Sequence, residues 1–452
     1  MDSDSIFTGP SVTLEQVLGS RTRRMERQRT LLSSGIPCLV SFTLNIPGDI
    51  KQFPLAREAF LEGLELLRGT LGQSVLEEMI TDEPAGNEAL LAVDADPFET
   101  KKKTILIEIH HPLGRLFDMD VLKPDGFAVS RTELGEPQRT CLLCGGNAKV
   151  CARSKAHSLP ELREAVGCRL EDFFKNRYAD DCMSAAWRAM LSEVSATPKP
   201  GLVDRNNSGA HSDMDFFTFV DSAAALAPCF RRMYLAGWEN AFDSPRDLFA
   251  RLRILGRQAE REMLAATHGA NTHKGLIFSM GLFIGAFGAK QRQNEGTLGA
   301  AIALSAEMGR IALNDFDSGD PDTNGKRCYR EYRISGIRGE AAAGFPGAKD
   351  IGLPELRRRT HDGLSLNDAS LFALLALLAE VDDTNLIRRG GLLRAEACRQ
   401  EACEIFRNAS AETLPDLLLA LDRQYISENL SPGGCADLLA LSLLFFFLFP
   451  NG

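Results

Sequence analysis

The chain has 452 residues, 44% hydrophobic and 25% charged, with a formal net charge of −10. That length exceeds one ordinary core, so two or three domains are expected, and the charge balance excludes binding nucleic acid through a dominant basic surface. The longest apolar run, residues 438–449, falls short of the ~20 residues that a bilayer span needs. It is expected to be a buried helix rather than a membrane anchor. The opening MDSDSIFTGP is acidic and lacks an apolar run, so no signal peptide is expected. Without one, the eleven cysteines read as reduced thiols of the cytoplasm.

The first part of the chain reads as mixed α/β. Residues 28–32 end a charged helix, and CLVSFTL (residues 38–44) is a buried strand stopped by Ile46-Pro47-Gly48. Residues 55–67 have helical apolar spacing. Residues 104–109, 114–122 and 127–131 are short and β-like, separated by Pro112 and by Pro124-Asp125-Gly126, which predicts an antiparallel meander. After about residue 158 the composition shifts to Ala/Leu/Glu/Arg stretches, such as 247–267, 366–380 and 395–408, with the apolar spacing of helices. The expected organisation is an α/β (α+β) domain with a small mixed or antiparallel sheet over 1–178 and an all-α domain over 179–452.

In GRLFDMDVL the side chains alternate. Leu116, Asp118 and Asp120 share one strand face, and Phe117, Met119 and Val121 the other. Carboxylates two apart on a strand lie ~6.5 Å apart and repel each other unless a cation intervenes. A Mg²⁺ bridged to substrate phosphates would supply one, with Arg115 and Arg131 as anion clamps. The bland alternative is an exposed face with two solvated acids.

A cysteine cluster follows. Cys141, Cys144, Cys151 and His157, spaced C-x₂-C-x₆-C-x₅-H, admit two readings. They offer four ligands to a structural Zn²⁺, or they are packed thiols with Arg153, Lys155 and His157 forming a basic strip.

In the helical part, four polar stretches stand out as loops. The first, residues 197–215 (TPKPGLVDRNNSGAHSDMD), carries Lys199, Asp204, His211, Asp213 and Asp215. Its composition fits neither a helix nor a core, and such loops commonly carry function. The second, Asn271-Thr272-His273-Lys274-Gly275, opens an apolar helix, where free N–H groups favour anions. The third is Gly336-Ile337-Arg338-Gly339-Glu340. The fourth is Asp382-Asp383-Thr384-Asn385 with Arg388-Arg389-Gly390-Gly391. Together they suit a nucleoside triphosphate, metal ions and a general base. No Walker A loop, GxSxG or HExxH motif is present. Taken singly, each stretch suits a cap or turn as well as a site.

These strings resemble two known families. LVSFTLNIPG, GRLFDMDV, SRTELG and CLLCGGNAKVCARSKAH resemble the holo-citrate lyase synthases over most of residues 20–175. SATPKPGLVD, GAHSDMDF, NTHKGLIFSMG, GIRGEAAAGFP and DDTNLIRRGG resemble the triphosphoribosyl-dephospho-CoA synthases over roughly 180–445. The pair looks like a fused, bifunctional form. The resemblance implies a nucleotidyltransferase-like N-terminal domain. There Asp118 and Asp120 would hold Mg²⁺ on a triphosphate, while a serine of the citrate lyase acyl carrier protein displaces pyrophosphate. In the helical domain it implies glycosyl transfer, with dephospho-CoA displacing adenine from ATP. Asp204, Asp213, Asp215 and Glu340 form the acidic set implied there. Asp382 and Asp383 are the metal candidates, and Lys199, Lys274 and Arg338 the phosphate clamps. Asn271 and Asn385 are substrate contacts, and His211 and His273 proton carriers or donors. The corresponding enzyme of malonate decarboxylase, and a non-catalytic nucleotide-sensing, carrier-binding module, are the alternatives.

Overall fold

The computed structural model describes residues 6–313 and 324–450. The chain divides into two compact units at Asn176/Arg177.

The first unit contains α1 (Leu14–Leu32), β1 (Cys38–Leu44), α2 (Pro54–Leu71), β2 (Val75–Glu83), β3 (Gly86–Val93), α3 (Pro97–His110), β4 (Phe117–Leu122) and α4 (Ala148–Ser154). The four strands form one antiparallel sheet in the order β2-β3-β1-β4. One sheet face buries Val40, Phe42, Leu91, Met119 and Val121, and Phe42 stacks on Phe60 of α2 at 5.1 Å. On the other face Leu31 of α1 joins Leu39, Leu90 and Leu122 in a small core. Farther along α1, Arg23 and Arg27 pair with Glu83, and Arg27 also with Glu88.

The expected meander does not form. Residues 104–109 belong to α3, which starts with Asp96 accepting from the N–H groups of Phe98 and Glu99 and with Pro97 in its first turn. Thr100, Lys101, Thr104, Ile105, Ile107 and Glu108 are buried at helical spacing, while Leu106 and Ile109 are exposed. The β-branched run imitated a strand, and the Asp-Pro start signal outweighs it. Leu116 precedes β4 in a tight turn, and residues 127–131 contribute only an isolated bridge, Leu122 to Ala128. That turn needs glycine at 114, where a Cβ would meet the Glu108 carbonyl oxygen at 2.4 Å. The strand pair β2 and β3 was not foreseen.

α5 (Leu159–Ser195) carries the division between units within its length. The second unit continues with α6 (Phe216–Glu239), α7 (Pro245–Ala266), α8 (Lys274–Arg292), α9 (Leu298–Leu313), α10 (Asn324–Tyr332), α11 (Gly336–Ala343), α12 (Leu353–His361), α13 (Leu366–Glu380), α14 (Thr384–Asn408), α15 (Leu414–Ser427) and α16 (Gly433–Leu448). Its described residues contain no strand. α8 is buried on every side from Ser279 to Ala289. α6 crosses it where side chains are missing: a Cβ on Gly237 would meet the Gly285 carbonyl oxygen at 1.9 Å. The C-terminal apolar run is the buried body of α16. No described helix is long and apolar enough to cross a membrane.

Candidate functional sites

In the sheet unit, Asp118 and Asp120 stand on the edge strand β4, opposite Thr43 and Ser41 of β1. Met119 between them is buried, and α3 satisfies its backbone. The Met119 N–H donates to Glu108 Oε1 (3.1 Å), and Lys101 Nζ donates to the Met119 carbonyl (2.7 Å). Both side chains are buried, so the edge is blocked and the two carboxylates are fixed in direction. Asp118 is half-buried and Asp120 reaches solvent. Partial desolvation, and then the charge of Asp118, raise the Asp120 carboxyl above its usual range. Such a pair fits a hard divalent cation shared with phosphate oxygens.

Arg139 donates to Asp118 Oδ1 at 3.1 Å, also donates to the Phe117 carbonyl, and lies 3.6 Å from Glu108. Of the expected clamps, Arg131 is paired with Glu108, and Arg115 donates to the Thr140 carbonyl. Desolvation lowers the affinity of Arg115 for its proton, and Arg139, Arg131 and Arg169 lower it further. Cationic groups therefore crowd beside the acid pair. The sequence reading missed Arg139, which lies 21 residues from Asp118 on an irregular segment.

The ligand atoms of Cys141, Cys144, Cys151 and His157 all lie within 4.8 Å of one another. The Cys144 and Cys151 sulfurs are 3.5 Å apart, and Gly145 turns the knuckle at φ 70°. Backbone N–H groups of Cys144 and Leu143 donate to the Cys141 sulfur and bring its thiol down to about 6.

In the helical unit a cavity of about 1450 Å³ takes lining residues from all four polar stretches. Its lining includes nine Lys and Arg side chains against seven Asp and Glu, a cationic excess inside an acidic chain. Phe219, Met233, Phe249 and Leu252 are among its apolar lining. The first turns of α8, α11 and α16 reach the cavity through Lys274-Gly275, Gly336-Ile337 and Gly433-Gly434. No side chain caps the starts of α8 and α11, so free backbone N–H groups and positive dipole ends of these two helices converge on one space, whereas the first turn of α16 is already met by the Asp383 carboxylate at the Cys435 N–H. The third and fourth stretches are thus helix starts, not the loops expected.

The expected residues divide between cavity and scaffold. His211, Asp213, Asn271, Lys274, Arg338, Glu340, Asp382 and Asn385 line the cavity, as do Lys199 and His273. Asp204 is elsewhere. It is buried and accepts from Thr197 Oγ1 (2.8 Å) and from the N–H groups of Lys199, Asn206 and Asn207, so it organises the loop. Asp215 caps α6 through the Thr218 N–H (2.9 Å), which lowers its carboxyl. Asp383 caps α14 through Asn385 and Leu386 and receives the Cys435 N–H at 2.8 Å. Because both Asp383 oxygens are taken by backbone N–H groups, the Asp382–Asp383 pair does not fit a divalent cation, and Asp382 pairs with Arg399 at 2.8 Å.

Lys199 is almost fully buried and held by the carboxylate and carbonyl of Glu193. Lys274 pairs with Glu260. His273 donates to or accepts from Ser222 Oγ at 2.7 Å, and its buried Nε2 has no hydrogen-bond partner. Burial, then Lys199, depresses its imidazole to about 3. His211 lies 3.0 Å from Ser431 Oγ and is also lowered, by burial and then Arg389. Glu340 receives the Gly347 N–H at 3.0 Å, yet desolvation raises its carboxyl.

Two acids were missed. Glu193 lies at the end of a long helix, and Asp437 follows Gly433-Gly434 at the start of α16, outside every quoted string. Desolvation, then Glu193 and Asp383, push the Asp437 carboxyl well above its usual range. The glycine pair at an apolar helix start was the available signal.

Residues 179–451 match the family model of ATP:dephospho-CoA triphosphoribosyl transferase, and residues 12–173 that of apo-citrate lyase phosphoribosyl-dephospho-CoA transferase. With a separate site in each unit, the class is a bifunctional transferase. The chain is 35% identical to Protein CitXG of Leuconostoc mesenteroides over 96% of its own length and 97% of that protein. It is 33% identical to Protein CitXG of Haemophilus influenzae over 97% and 96%. The 2-(5''-triphosphoribosyl)-3'-dephosphocoenzyme-A synthase of Haemophilus ducreyi is 34% identical over 68% of this chain and 99% of its own. The chain belongs to the CitXG family.

Proposed function

We propose that the chain makes the citrate lyase prosthetic group in its helical unit and attaches it in its sheet unit. The observation that carries this reading is the convergence of two uncapped helix starts, those of α8 and α11, on one cation-rich cavity. A polyphosphate seats there on backbone N–H groups with Lys274 and Arg338, and an adenine suits the apolar lining at Met233, Phe249 and Leu252. The 2'-hydroxyl oxygen of dephospho-CoA then attacks C1' of ATP. The C1'–N9 bond breaks, its electron pair leaves on adenine, and the ring passes through an oxocarbenium-like state. Glu340 and Asp437, both held high by desolvation, divide the two proton transfers, one accepting the hydroxyl proton and one protonating adenine. His273, held neutral, acts as a hydrogen-bond group rather than a charged acid.

In the sheet unit, Asp118 and Asp120 would hold Mg²⁺, which when bound would neutralise triphosphate oxygens and steady the leaving pyrophosphate. Arg139 and Arg115 flank that tail. The carrier serine oxygen attacks the α-phosphorus in line, its proton leaving to solvent, and the α–β bridging bond breaks toward pyrophosphate. The cysteines are all unpaired, which suits work in the cytoplasm.

The test is incubation of the protein with ATP, dephospho-CoA, Mg²⁺ and apo citrate lyase carrier protein. Free adenine and a carrier heavier by phosphoribosyl-dephospho-CoA are expected. Modification of the malonate decarboxylase carrier instead, or no adenine at all, overturns the assignment.

A further inference from the structure

Residues 132–158 hold only one buried side chain, that of Cys141. They nonetheless fold into a defined unit. Thr140 bridges Asn147, the Cys141 N–H donates to the Gly146 carbonyl at 2.5 Å, and the Ala148 N–H donates to the Arg139 carbonyl at 3.0 Å. Asn147 caps the seven-residue helix α4. A helix that short is marginal in water, and a segment without apolar burial has little to offset its ordering entropy. What converges at its centre is a donor set of three sulfurs and one imidazole.

We propose that Cys141, Cys144, Cys151 and His157 bind one structural Zn²⁺, and that this ion fixes Arg139 against Asp118. Zinc–sulfur bonds of ~2.3 Å in a tetrahedron separate ligand atoms by about 3.8 Å. The Cys144–Cys151 spacing of 3.5 Å and the 4.8 Å limit for the whole set need only small side-chain adjustments to reach that. Three cysteines and a histidine close the coordination shell, which is the pattern of a structural rather than a catalytic zinc. The Nε2 atom of His157 is buried, and its imidazole lies against the Cys144 and Cys141 thiols. N–H groups donated to the Cys141 sulfur support a ligand that carries charge.

The ion would also serve the neighbouring acid pair. Arg139 lies two residues before Cys141, and its guanidinium reaches Asp118, the Phe117 carbonyl and Glu108. Arg115 grips the Thr140 carbonyl. A knuckle closed by metal holds this arginine in place, whereas an open one releases it. Arg139 is therefore a positioning group for Asp118, and this second half of the proposal rests on the transfer reaction assigned above.

The experiment measures zinc in the full-length protein by mass spectrometry and follows Co²⁺ added to protein stripped of metal. About one zinc per chain is expected, released by a mercurial thiol reagent, and cobalt should give the thiolate charge-transfer and intense visible bands of a tetrahedral site. Cys144→Ser should lose metal and carrier modification while keeping adenine release. Cys144→His, which restores a ligand, should regain both. Cys168→Ser, at an exposed cysteine outside the cluster, should match the wild type. Absence of zinc and of cobalt bands, or an intact mass lowered by the two hydrogens of a disulfide, overturns the metal site. Full carrier modification by metal-free Cys144→Ser overturns the positioning role. If the zinc-loaded wild type modifies no carrier, the function assigned above fails while the metal site stands.

Discussion

The carboxylate of Asp437 occupies the space that a side chain on residue 275 would need, since a Cβ built on Gly275 would lie 2.1 Å from Asp437 Oδ2. The start of α8 and the start of α16 are thereby matched across the cavity. The glycine that leaves the α8 terminus open to an anion also admits the acid.

Gly275→Ala should therefore separate activity from stability. The obstructing atom is the end of a side chain, so rotation of Asp437 relieves the clash at small cost, within about 1 kcal/mol. The displaced carboxylate should slow adenine release by about tenfold or more. Thermal melting and adenine release from ATP plus dephospho-CoA check both halves. A wild-type rate in the variant would remove Asp437 from the proton transfers.

Asp118→Asn and Asp120→Asn should each lower carrier modification by about 10²-fold or more, in the range of losing one aligned charge-stabilising group. Adenine release should be unchanged, because no described residue of the sheet unit lines the helical cavity. Mass spectrometry of the carrier and chromatography of adenine give the two readouts. Retained modification in either variant would exclude that residue from the mechanism.

Stability should depend on pH through His273. Burial holds its folded value at about 3, against about 6.5 in the unfolded chain. Between these values the unfolded chain binds the extra proton, so stability falls as pH drops from about 6.5 toward 3. At pH 5 the loss is about 2 kcal/mol. Urea denaturation of wild type and His273→Gln at pH 7 and pH 5 tests this. The variant should lose less on acidification, and identical losses would contradict a buried neutral imidazole.

Fragments 1–176 and 177–452 should each fold and keep one activity. Val166, Leu170 and Phe174 give the first fragment a buried anchor for its part of α5, and Ala179, Cys182 and Ala186 do the same for the second. Cooperative melting of both, with carrier modification in one and adenine release in the other, is expected. Aggregation of both would refute autonomous units.

Part of this was legible in the chain. The alternation of Phe117-Asp118-Met119-Asp120-Val121 announces a strand with acids on one face, and β4 buries the apolar three. Residues 104–109 misled because β-branched side chains favour strands only where helix start signals are lacking, and Asp96-Pro97 supplied one. The first polar stretch is irregular as its composition demands, and the second opens α8.

The sequence by itself determined a sheet-bearing segment followed by helices, the strand that displays two carboxylates, and the strings that carry the family. Only tertiary structure decided which acids face a cavity. Asp204, Asp215 and Asp383 went to backbone N–H groups, while Asp213, Glu340 and the unforeseen Asp437 line the space. The physical reason is that a carboxylate serves equally well as a helix cap, a loop brace or a proton acceptor. Nearby N–H groups claimed Asp204, Asp215 and Asp383, whereas Asp437 faces Gly275 and Glu193, brought from far along the chain, and only the fold settles which of these a carboxylate becomes.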